Sequence, residues 1–141
     1  MSTLAKLLVF LLLSQTVMNA QDVNGQEVTV KIVNLDNNTG HVYISLFNTE
    51  ASFLNKGYKS EISSIENNGC TITFRNIPNG VYAISFFHDE NENKKMDTNF
   101  LSIPKEDYGC SNNARGFMGP PKWEDAKFEV KNDSVTQTIT L

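Results

Sequence analysis

The residues best suited to chemistry sit in one acidic run, His88-Asp89-Glu90-Asn91-Glu92-Asn93-Lys94-Lys95-Met96-Asp97. Side-chain oxygens recur at Asp89, Asn91, Asn93 and Asp97, which is the spacing of positions 1, 3, 5 and 9 of a calcium-binding loop. Lys95 offers its backbone carbonyl at position 7. Calcium takes six to eight oxygen ligands, and alternate residues of a tight loop deliver them. The run departs from the usual loop at position 6, where Lys94 replaces Gly, and at position 12, where Phe100 replaces a bidentate Glu. Glu90, Glu92 or Asp107 would have to complete such a cage. The competing reading is a polar turn whose Asx side chains cap their own backbone.

His88 brings a second chemistry. With Asp89, Glu90 and Asp97 it has the residue types of a zinc site, or of a metal-assisted hydrolase centred on His88, Asp89 and Asp97. No serine stands in a nucleophile-elbow context, neither cysteine has a neighbouring His, and the other histidine, His41, falls in a distant strand. Without a nucleophile, its base and an orienting group, the reading is non-enzymatic. A third reading is a plain structural domain without a ligand.

A further polar cluster is Ser111-Asn112-Asn113-Ala114-Arg115-Gly116. Amides and a guanidinium bind carboxylate, phosphate or sugar. The preferred expectation is that Asn112, Asn113 and Arg115 pin this loop, with Arg115 reaching the acids of 89–97. Phe117, Pro120, Pro121 and Trp123 read as an apolar cover over a sheet edge. Cys70 and Cys110 form a candidate disulfide; the alternative is two small, partly buried hydrophobes.

The elements that must position these loops are strands. Val28, Val30 and Ile32 alternate along 27–33, and Val42, Ile44 and Leu46 along 41–47, on either side of the turn Asp36-Asn37-Asn38-Thr39-Gly40. These two runs read as a hairpin or as adjacent Greek-key strands. Further strands are expected at 58–65, 70–74, 81–87, 126–130 and 135–141, with turns at Glu66-Asn67-Asn68-Gly69, Asn76-Ile77-Pro78-Asn79-Gly80 and Lys131-Asn132-Asp133-Ser134. About seven short strands with regular turns imply an all-β, antiparallel β-sandwich. Residues 88–122 lack apolar periodicity and read as one long excursion over an end of the sandwich, a kind of segment that is commonly functional.

Lys6 followed by Leu7-Leu8-Val9-Phe10-Leu11-Leu12-Leu13 has the layout of a secretory signal peptide, with cleavage expected after Ala20. The apolar run is shorter than the ~20 residues a membrane span requires. The organisation expected is a signal peptide at 1–20 and one sandwich domain at 21–141, exported to the periplasm or the exterior. The full chain carries 12 basic and 16 acidic residues, net −4. Loss of Lys6 with the leader takes the net charge to −5. An acidic surface disfavours nucleic acid, which is bound by Lys and Arg neutralising phosphates, and also anionic membranes.

These residues carry a likeness. His88-Asp89-Glu90-Asn91, Asp97-Thr98-Asn99-Phe100-Leu101, Ile103-Pro104-Lys105-Glu106, Tyr108-Gly109, Ser111 to Gly116, Gly119-Pro120-Pro121 and Glu124-Asp125-Ala126 closely resemble an exported bacterial family, domain of unknown function 2141. Asn79-Gly80-Val81-Tyr82-Ala83 resembles the Pro-Gly-x-Tyr strand entry of that family and of transthyretin-like sandwiches. The resemblance covers about residues 27–141. It implies an immunoglobulin-like or prealbumin-like sandwich and supplies no activity. Glu92 and Lys94 stand where the family usually has glycines, and Cys110 where it usually has Phe. The combined expectation is an exported binding or structural module, with calcium at 88–97 and an envelope protein, a peptide or a glycan as partner.

Overall fold

The computed structural model describes residues 25–141, so the expected signal peptide at 1–20 lies outside the described residues. Eight strands form: β1 (Gln26–Val33), β2 (His41–Phe47), β3 (Lys59–Ser63), β4 (Cys70–Ile77), β5 (Gly80–Asp89), β6 (Tyr108–Cys110), β7 (Phe128–Val130) and β8 (Val135–Thr140). A four-residue helix, α1 (Trp123–Ala126), precedes β7. One sheet has the order β4-β1-β8. The other has the order β3-β2-β5-β6, with β7 also joined to β5.

The alternation of apolar residues builds the core. Val28, Val30 and Ile32 of β1 face Val42, Ile44 and Leu46 of β2 across the gap between the sheets, and all six are buried. Ile84 and Phe86 of β5, Phe74 of β4 and Ile139 of β8 join the same cluster. The architecture is therefore an all-β sandwich of two sheets.

Two details differ from the expectation. β1 and β2 are not hairpin partners, because they lie in opposite sheets. Amphipathic strands bury their apolar faces equally well across a sandwich as side by side, so alternation alone does not decide between the two. The connection decides it. Leu35 drops into the core, its N–H donates to the Asn68 carbonyl at 2.9 Å, and the Asn68 amide donates back to the Leu35 carbonyl at 2.7 Å. The chain is thus hooked to the turn before β4 and crosses between sheets. The second difference is that β8 runs parallel to β1, in register from Val28↔Val135 to Val33↔Thr140. The pairing is not purely antiparallel, because the turn between β7 and β8 also changes sheets.

β5 is the hub. It pairs with β2 along its length, from Phe47↔Ala83 to His41↔Asp89. It also pairs with β7 over Gly80–Tyr82 and with β6 over Ser85–Phe87. The Ile84 N–H between those two stretches donates to Ser111 Oγ at 2.9 Å, and Ser111 Oγ in turn donates to the Ala126 carbonyl at 2.5 Å. A buried serine hydroxyl thus replaces one rung of the ladder, as a buried N–H requires.

The candidate Cys70–Cys110 bridge is absent, and both thiols are free. Cys70 opens β4 and packs on the main core; Cys110 ends β6 in a small cluster with Ala83 and Ala126. The two strands belong to opposite sheets, and the two side chains pack in separate clusters. Burial pushes the Cys110 thiol up to about 11. Because the thiolate is the reactive form, native Cys110 should resist iodoacetamide at pH 8, and both cysteines should be alkylated after unfolding without reductant. Mass spectrometry reads the count; an unmodified, two-hydrogen-lighter chain would mean a bridge.

Candidate functional site

The alternation of β5 continues past the apolar core. Tyr82, Ile84 and Phe86 point inward, and so does His88, which is fully buried at the end of the sandwich. His88 Nε2 lies 2.5 Å from the Thr39 carbonyl in the turn before β2. A carbonyl only accepts, so Nε2 carries a proton toward Thr39, and Nδ1 is the ring atom left for another partner. That atom is buried without a hydrogen-bond partner and lies 3.9 Å from Glu90 Oε1. One ligand atom each from His88, Glu90 and Asp107 lie within 4.8 Å of one another.

Asp107 arrives by backbone pairing. The β5–β6 ladder ends at Phe87↔Tyr108, and the His88 N–H then donates to the Asp107 carbonyl at 2.8 Å. Asp107 Oδ2 is buried and unpartnered. Burial first, then the nearby Asp36 carboxylate, raise the Asp107 carboxyl above its ordinary value, while the His88 ring pulls it part of the way back.

Asp89, the next residue, faces the other way. The β2–β5 approach here requires Gly40, at φ 73°, since a Cβ would stand 2.0 Å from the Asp89 carbonyl oxygen. The buried Asp89 carboxylate accepts the N–H groups of Asn93 at 3.2 Å and Lys94 at 2.8 Å. Asn91 Oδ1 accepts the Asn93 N–H, and Asn93 Oδ1 accepts the Lys95 N–H. The side-chain amides of Asn91 and Asn93 both donate to Asp97, at 2.6 to 2.9 Å. These two amides are the main reason the Asp97 carboxyl sits below its ordinary value. Glu92 and Lys94 adopt φ of 58° and 67°. The loop therefore winds through two left-handed residues without glycine, at a cost of about 1 kcal/mol each. Each Asp and Asn oxygen that accepts one N–H keeps a second lone pair, so the loop is held as an Asx-turn network whose oxygens retain accepting capacity.

His41, distant in sequence, is brought alongside. It pairs in register with Asp89, and its Nδ1 lies 2.9 Å from Glu92 Oε1. The set drawn from the sequence, His88 with Asp89, Glu90 and Asp97, changes: Asp89 turns to loop amides, Glu90 stays with His88, and Asp107 joins them.

The excursion continues as a small ribbon. The Lys105 N–H donates to the Asp97 carbonyl, the Asn99 N–H to the Ile103 carbonyl, and Phe100 stands 93% exposed at the tip. The ribbon arches over the outer face of the β3-β2-β5-β6 sheet. Tyr43 and Phe87, a register pair, stack there with centroids 5.1 Å apart, beside the small register pair Ser45 and Ser85. The serines leave a hollow. Together with Met96, Ile103, Met118 and Pro121 they line a groove of about 1030 Å³.

Asn112 and Asn113 hold the far end of the excursion. Asn112 donates to the carbonyls of Asp125 and Lys127 and exchanges hydrogen bonds with Gln137, while Asn113 Oδ1 accepts the Thr140 N–H. Arg115 is exposed and forms no ion pair among the described residues; the expected link to the acids of 89–97 is replaced by these amide bonds. Trp123 and Pro121 do cover the sheet, Trp123 stacking edge-on against Phe53, but Phe117 is 92% exposed. The roles of Thr39, Asp36 and Ser111 were not signalled by residue type, because each depends on a non-local approach.

The raised Asp107 carboxyl has a consequence for stability. The folded state favours its protonated form, so its contribution is complete below the ordinary value of 3.8 and is lost as pH rises through the folded value. Asp107→Asn, which cannot ionise, should raise the melting temperature in EDTA at pH 7 and leave it unchanged at pH 3. An equal shift at both pH values would contradict the assignment.

Comparison with known proteins adds one finding. No curated protein and no solved structure matches the chain. The model of one family matches residues 30–138, which include the whole of the site. The chain belongs to that family, described as uncharacterized protein conserved in bacteria, DUF2141.

Proposed function

We propose that this protein is an exported, non-enzymatic binding module of the bacterial envelope or exterior, in which calcium at 89–97 orders the excursion and the groove beneath it receives an apolar segment of a peptide or envelope protein. The groove carries this reading. Outer faces of antiparallel sheets are ordinarily polar, whereas this one has an aromatic floor, small central serines and apolar walls. Exposed Phe100, Phe117 and Met118 extend the apolar surface beyond it. Concave apolar sites with few polar groups are the usual form of a binding pocket.

Calcium supports the arrangement through charge. Asp89, Glu90, Glu92 and Asp97 crowd one loop, and hard oxygen donors at alternate positions suit a hard cation. The acidic balance and the leader-like sequence support an exported protein. A peptide is favoured over a glycan because Tyr43 and Phe87 each engage one ring face with the other.

The groove is tested by selecting apolar peptides from a displayed library on the purified protein in calcium, then measuring their affinity for variants. Ser45→Phe fills the hollow and should weaken binding at least tenfold while leaving the melting temperature nearly unchanged. EDTA should weaken binding as well. Peptides that bind Ser45→Phe as tightly as the parent would place the contact elsewhere and end this reading.

A further inference from the structure

We infer that His88, Glu90 and Asp107 form a second cation site, beside the calcium loop and sharing Glu90 with its span, that takes a first-row transition metal ion of the zinc class. The first observation is the buried, unpartnered Nδ1 of His88. An unsatisfied buried polar atom costs about 1–3 kcal/mol, and a ring this deep in a sandwich end has no solvent to relieve it. The second is the bond from Nε2 to the Thr39 carbonyl. In metal-binding histidines the nitrogen away from the metal is held this way, which fixes the tautomer and aims the lone pair.

The carboxylates complete the set. Asp107 is positioned by the β5–β6 ladder and keeps one buried oxygen free, while Glu90 is exposed at the rim. Two carboxylates balance a dication, and one imidazole shifts the preference away from calcium and magnesium toward zinc and its neighbours. Ligand atoms about 2.0 Å from a tetrahedral zinc lie about 3.3 Å apart. The three groups stand within 4.8 Å of one another, and rotation of the solvent-exposed Glu90 side chain closes the remainder. Three protein ligands leave a fourth position open on the Glu90 side, which is also the entry path.

The site borrows Glu90 from the 89–97 loop but uses no residue of the groove. Asp89 and Asp97 belong to the loop, and neither falls within the His88 cluster. The two cations therefore separate by variant.

Zinc binding by the metal-stripped protein is measured by calorimetry, with cobalt absorption as a second readout and the His88 ring nitrogen shift by NMR as a third. One zinc per chain is expected, with the Nδ1 signal moving and the Nε2 signal keeping its proton. Glu90→Gln should weaken zinc at least tenfold and Asp107→Asn more, whereas Asp97→Asn and His41→Gln should leave it unchanged. His88→Gln removes a core side chain, so Glu90→Gln and Asp107→Asn carry the test if that variant does not fold. No uptake at millimolar zinc overturns the assignment. So does equal affinity in the Glu90 and Asp107 variants, or loss in His41→Gln, which would move the ion to the exposed His41–Glu92 pair.

Discussion

The ladder between β2 and β5 is the constraint on which the functional end depends. It runs in unbroken register from Phe47↔Ala83 to His41↔Asp89, further than the apolar core requires. Its last rungs lift polar residues to the rim of the sandwich with the same strict alternation that sorts the core. His88 inherits the inward direction of Phe86 and Ile84. Asp89 inherits the outward direction of Phe87. Two adjacent residues thus serve two different sites, one between the sheets and one in the loop. A slip of one residue would exchange them.

The same geometry explains why the loop tolerates side chains where glycine would be easier. Asp89 is held rigidly by the ladder, and its carboxylate faces the N–H groups of Asn93 and Lys94. Those charge-assisted bonds, together with the Asn91 and Asn93 amides on Asp97, over-determine the turn. Glu92 and Lys94 are held left-handed as a result. Strain retained by surrounding interactions is characteristic of sites that must present groups in a fixed arrangement. At the far end of the excursion, Asn112, Asn113 and Ser111 fasten the chain to β8 and β5. The intervening segment therefore spans the outer face of the sheet between two anchors.

Much of this was legible in the sequence, and the rest failed for a physical reason. Alternation at 27–33, 41–47 and 81–87 located three strands, and turn chemistry at 36–40 and 76–80 separated them. The spacing of Asp89, Asn91, Asn93 and Asp97 marked the loop. Pairing partners were not legible, since an alternating strand fits a neighbour beside it or across the core equally well. That ambiguity left the first two strands open to a side-by-side pairing and left Cys70 and Cys110 as a candidate bridge beside the reading of two small buried hydrophobes. It also hid His41 from the loop and the approach of Asp107 to His88, because both contacts arise through ladders between segments apart in sequence. The groove was invisible for a related reason: Ser45 and Ser85 look unremarkable until register places them side by side beneath the excursion.

The central claim is that a cation bound at 89–97 orders the excursion that frames the groove. Amide hydrogen exchange with and without calcium tests it most directly, residue by residue. The account predicts strong slowing at Asn93, Lys94 and Lys95, spreading through the 97–105 ribbon, with β1, β2 and β5 unchanged, and the effect abolished by Asp97→Asn. Identical exchange across 90–122 in calcium and in EDTA would contradict it.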